Sequence, residues 1–70
     1  MTDYAVVLEE ADDGGWWAHA PDLPGVISTA NTPAGAEDRF REALTLYRDE
    51  LRGDGRQLPK PRSRATIVSI

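Results

Sequence analysis

Seventy residues hold one domain and leave no room for a second. With no cysteine and a single histidine, His19, the chain has no disulfide, no thiolate ligand and too few imidazoles for a metal site. No apolar run approaches the ~20 residues of a membrane helix, and Met1-Thr2-Asp3-Tyr4 has no basic leader character. A cytoplasmic protein without cofactors is expected.

A core this small is expected to supply no more than about 3–5 kcal/mol, so oligomerisation or a tightly bound partner is the expected supplement. The net charge of −4 is unevenly divided. Eight acidic residues and no basic one precede Arg39, whereas eight basic residues stand against four acidic ones from there on. The first part is thus at −8 and the second at +4. An acidic first half attracts a basic partner and repels nucleic acid; the plainer reading is a solvated surface.

Tyr4 to Glu10 alternates in the manner of a strand, with Tyr4, Val6 and Leu8 on one side and Ala5, Val7 and Glu9 on the other. Asp12-Asp13-Gly14-Gly15 is turn chemistry, and a second strand is expected from Trp16 to Ala20, closing a hairpin. Pro21-Asp22-Leu23-Pro24-Gly25 breaks the ladder, because each proline removes a donor and fixes φ. A third strand is expected from Val26 to Ala30. Thr32 before Pro33 opens a helix as cap and first residue, and Ala36, Phe40, Ala43, Leu44, Tyr47 and Leu51 form its apolar stripe. Asp38 and Glu37 pair with Arg41 at helical separations, and Gly53 and Gly55 end the helix. Gln57 to Arg62, interrupted by Pro59 and Pro61, is extended. Ala65 to Ile70 is β-branched and is expected to be a last strand. The predicted order is β-β-β-α-β, an α+β fold with a three-stranded antiparallel meander. A last strand lying beside the first would be parallel to it and reached by a right-handed crossover. The helix covers only one face of such a sheet.

Pro21-Asp22-Leu23-Pro24-Gly25, the preceding Gly15-Trp16-Trp17-Ala18 strand, Glu42-Ala43-Leu44 in the helix and Leu58-Pro59-Lys60-Pro61 after it together resemble the HicB-like antitoxin family over nearly the whole chain. The resemblance implies a partial ribonuclease-H-like fold and a role in neutralising a HicA-like toxin, a small basic RNA-cleaving protein. Many members of the family carry a further DNA-binding module. This sequence reaches only Ile70, directly after the expected last strand, so a single domain over 1–70 without specific DNA binding of its own is expected. The family often has Gly where Ala30 stands and Glu where Gly35 stands. A Glu there would complete a capping box, and Gly35 is expected to weaken the first helical turn.

Trp16 and Trp17 are strand neighbours and must face opposite sides. Trp16 is assigned to the core with Tyr4, Val6, Leu8 and Phe40. Trp17, with Val7, His19 and Ile27, is assigned to the uncovered face as a self-association surface, giving a homodimer or higher oligomer; a loop covering Trp17 is the plainer alternative. His19 has no neighbours that would build a catalytic triad and reads as a surface residue. Glu9, Asp12 and Asp13 are candidates for the toxin-facing surface, as is Asp22, whose plainer reading is an Asx-type bond within its own turn. Nuclease chemistry needs converging carboxylates. Val6 occupies the inward centre of the first strand, so no enzymatic activity is expected. Arg56, Lys60, Arg62 and Arg64 lack an aromatic stacking platform for nucleic acid. A toxin-binding protein is the leading reading, and a self-associating structural or regulatory module without a toxin is the second.

Overall fold

The structure is a computed structural model and describes residues 2–70. Three short strands, β1 (Val7–Glu10), β2 (Trp16–His19) and β3 (Ile27–Ala30), precede one helix, α1 (Pro33–Gly53). The strands form an antiparallel meander in the order β1-β2-β3, which is the α+β arrangement expected from the alternation. Val7 pairs with His19 at the last rung of the β1–β2 ladder. Beyond it Ala20 enters the proline-containing loop, so Tyr4, Ala5 and Val6 lie outside the ladder and β1 is shorter than its sequence pattern.

That loop is two consecutive turns, closed by Leu23 N–H donating to the Ala20 carbonyl and Val26 N–H donating to the Leu23 carbonyl. Gly25 sits at φ 89°, the left-handed region that a side chain disfavours. The loop is not merely a linker, because Leu23 is 1% exposed and is the largest fully buried side chain. It packs into a core with Ala18, Ala20, Val26, Ala36 and Phe40.

Thr32 caps α1 by accepting from Gly35 N–H at 3.0 Å. The cap is made and the helix is continuous from Pro33. Gly35 has a positive reason to be glycine. A Cβ there would stand 3.0 Å from Thr32 Oγ1 and 3.1 Å from Ala30 Cβ. The methyl of Ala30 therefore takes the space that a side chain at 35 would need. Ser28 Oγ donates to the Ala36 carbonyl at 2.6 Å and ties β3 to the same turn. At the other end, Gly55 adopts φ 72° and Arg56 N–H donates back to the Leu51 carbonyl, a glycine stop of the expected kind.

The expected last strand, 65–70, is not formed within the chain. Tyr4 donates from its hydroxyl to the Pro59 carbonyl, and Leu58 packs on the core. The backbone amides of Arg62 and Ser63 then go to the Asp22 carboxylate instead of a β-ladder. Pro59 and Pro61 have no amide to give. Past Ser63 every residue is exposed, and a short segment without a neighbouring strand does not recover its ordering entropy.

Candidate protein-interaction surface

The ladder register sorts the sheet residues by face. Leu8, Ala18 and Ser28 share one rung side, as do Glu10, Trp16 and Ala30; this is the side beneath α1, where Ala18 is fully buried and Trp16 packs against the core. Val7, His19 and Ile27 form one rung of the opposite face, and Glu9, Trp17 and Thr29 the next. Among the described residues, no helix covers that face. Val7, Trp17, His19 and Ile27, expected from alternation to lie together, do share it.

The face is internally organised. Trp17 and His19, two residues apart, stack with ring centroids 4.4 Å apart and planes 18° from parallel. His19 Nε2 meets Glu9 Oε1 from the neighbouring strand at 2.8 Å. Ile27 is 57% exposed beside this cluster. The result is an aromatic-aliphatic patch with a carboxylate beside it.

The candidate acidic residues divide into two places. Glu9 is near the hairpin end of the sheet, and Asp12 and Asp13 are in the hairpin turn itself, where Asp13 accepts from Gly15 N–H at 2.9 Å. Asp22 lies in the loop beyond the opposite end of β2, so the four do not form one surface. Its carboxylate is also occupied: one oxygen accepts from Arg62 N–H at 2.8 Å and Ser63 N–H at 2.9 Å, and the other from Ser63 Oγ at 2.8 Å. Those amides, with the Ser63 hydroxyl, hold the Asp22 carboxyl below the usual carboxylate range. Burial first, and then the nearby Asp22 charge, push the Tyr4 phenol up. Asp22 is thus neither closing an Asx turn of its own loop nor standing free; it is a bracket for the chain after α1. Nothing local in the sequence points to this, because its partners lie 40 and 41 positions away.

Of the basic residues after the helix, Arg56 and Lys60 come together with two from its last turns. Arg48, Arg52, Arg56 and Lys60 line an open groove of about 830 Å³ between the end of α1 and the extended connection. Among the described residues there is no group of three or more His, Cys, Asp or Glu placed to hold a metal ion, and no helix long and apolar enough to cross a membrane.

Residues 4–69 match the family model described as the HicB_like antitoxin of bacterial toxin-antitoxin system. The chain is 33% identical to the UPF0150 protein ssl0738 of Synechocystis sp., over 94% of this chain and 93% of that protein. It is 36% identical to the UPF0150 protein ssr1765 of the same organism, over 83% of this chain and 73% of that one. No solved structure matches. The match spans the hairpin, the Leu23 loop, α1 and the segment beyond the Asp22 bracket, and on that basis the chain belongs to the HicB-like antitoxin family of bacterial toxin–antitoxin systems.

Proposed function

We propose that the chain is a non-enzymatic antitoxin that neutralises a small basic HicA-like RNA-cleaving toxin in the cytoplasm by covering its RNA-binding surface. The observation that carries this reading is the family match over residues 4–69. The charge pattern supports it, since the hairpin end of the sheet presents Glu9, Glu10, Asp12 and Asp13 with no cation before Arg39. Long-range attraction raises the encounter rate with a basic partner, and apolar anchors set the lifetime of the complex. Neutralisation of this kind is steric and asks no chemistry of the antitoxin. Asp22 drops out of the proposed toxin-facing set, because its carboxylate already serves Arg62 and Ser63.

Self-association through the uncovered face of Val7, Trp17, His19 and Ile27 is part of the same reading. So is the partial ribonuclease-H-like architecture, which requires a fourth strand beside β1. With a net charge of −4, the chain alone does not bind operator DNA specifically, as phosphate neutralisation dominates such affinity. The deciding experiment mixes the purified chain with a HicA-like toxin and an RNA substrate. Stoichiometric suppression of cleavage with formation of a stable complex is expected; undiminished cleavage at excess antitoxin refutes the proposal.

A further inference from the structure

Residues 65–70, Ala-Thr-Ile-Val-Ser-Ile, have strand composition and no strand to join. Ile67 is 95% and Val68 79% exposed, and Ile70 is fully exposed. Isolated apolar residues at a surface are ordinary, but three β-branched aliphatics in four positions are not. The segment is also no appendage, because the family match continues to residue 69, beyond the last residue that the Asp22 bracket holds.

A vacant place for a strand exists on the same molecule. β1 is an edge of the sheet. Beside it, between the sheet and α1, runs an open groove of about 420 Å³ lined by Tyr4, Val6, Leu8, Phe40 and Leu44. An apolar cavity of ~150 Å³ accepts a benzene ring, so this groove has room for more than one aliphatic side chain. The other sheet edge is less available, since the Thr29 carbonyl on β3 already accepts from Arg39 at 2.9 Å; exposed edges are commonly blunted in this way.

The chain's own segment does not occupy that groove: Ile67, Val68 and Ile70 are exposed and none of them lines it. The chain passes Tyr4 at Pro59 and is then fixed at Arg62 and Ser63 on the Asp22 loop, beyond the end of β2. A second copy brings both complementary parts, an outward segment and an empty groove, and a two-fold exchange uses each of them twice. Charge fits a parallel alignment along that edge. Arg62 and Arg64 lead into the segment, and Asp3, at the start of the groove, is acidic and exposed. In a parallel alignment Arg64 enters beside Asp3.

We infer that residues 65–70 of one chain add as a strand parallel to β1 along the β1 edge of a second copy, reciprocally, and fill the groove between that copy's sheet and α1. This inference rests on the reading that the chain self-associates. Main-chain pairing along an exposed edge supplies affinity, and alternate side chains supply register.

The test uses the intact chain in two isotopic forms, one ¹⁵N-labelled and one ¹³C-labelled, mixed after unfolding and refolding. Filtered NOEs between Ile67, Val68 or Ile70 of one chain and Val6, Leu8 or Leu44 of the other are expected. V68P, which removes a ladder donor in each exchanged strand, is expected to weaken association about 100-fold by sedimentation, with α1 retained in far-UV CD. A dimer in which these contacts arise only within one chain, or not at all, overturns the exchange while leaving self-association through the sheet face in place; so does a V68P dimer as tight as wild type. Contacts to these methyls that appear only on adding a HicA-like toxin make the toxin the occupant and also overturn it. A wild-type chain that stays monomeric at high micromolar concentration removes the self-association reading and the exchange together.

Discussion

Gly35 and Ala30 form a steric pair whose coupling is measurable. On helix propensity alone, Gly35→Ala stabilises α1 by about 0.8–1 kcal/mol. The structure predicts otherwise. The new Cβ would stand 3.1 Å from Ala30 Cβ and 3.0 Å from Thr32 Oγ1, whereas carbon atoms pack best at about 3.5–4.0 Å. Ala30 Cβ has no rotamer to escape into. Thr32 Oγ1 is the capping oxygen, so displacing it weakens a bond worth about 1 kcal/mol. With overpacking at about 1–3 kcal/mol, the single substitution is expected to be destabilising by about 0–2 kcal/mol. Ala30→Gly alone loses about 0.5–1 kcal/mol through strand entropy. Combined, the two relieve the carbon–carbon clash, and a favourable coupling of about 1 kcal/mol is expected. Urea titration of the four chains by far-UV CD at one fixed protein concentration measures this, since self-association links stability to concentration. Additivity within about 0.5 kcal/mol, or a Gly35→Ala chain more stable than wild type, would show that the close approach does not govern this turn.

Other perturbations separate structural from interacting residues. Leu23→Ala removes the largest fully buried side chain and is expected to cost about 2–5 kcal/mol, enough to leave the chain largely unfolded by CD at 25 °C; a cooperative melt near the wild-type midpoint would contradict the buried-plug role. Asp22→Asn is expected to free residues 62–63 without unfolding the sheet. The Asp22 pKa is lowered by folding, so the bracket's contribution is present above the unfolded-state pKa and disappears as pH falls through the folded one. The Arg62 and Ser63 amide shifts should therefore titrate below the usual carboxylate range in wild type and not at all in Asp22→Asn. Neutralising Glu9, Asp12 and Asp13 together to Gln and Asn is expected to lower the on-rate for a basic toxin and its salt dependence, because screening acts over about 8 Å at physiological ionic strength; equal stopped-flow rates at two salt concentrations would reduce those carboxylates to a solvated surface. Trp17→Glu places a charge on the uncovered face and is expected to weaken self-association in sedimentation while leaving the monomer's CD spectrum intact.

Local chemistry made most of the fold legible. Alternation in Val7–Glu10 and Trp16–His19 assigned the two faces correctly, because side chains of a strand must alternate whatever their surroundings. Thr32-Pro33 and Gly53 to Gly55 bounded α1, because capping depends on a few neighbouring residues. Periodicity likewise placed Ala36, Phe40 and Leu51 inward. Three matters depended on contacts that no single element's pattern contains. Gly35 reads as a flaw until Ala30 is seen against it. Asp22 reads as a turn residue or a contact residue until Arg62 and Ser63 arrive 40 and 41 positions later to take its oxygens. Residues 65–70 carry every local mark of a strand, but a strand is a relation between two segments, and beyond the Asp22 bracket this one pairs with none in its own chain. Propensity is a property of the segment; pairing is decided by what the rest of the molecule leaves open beside it.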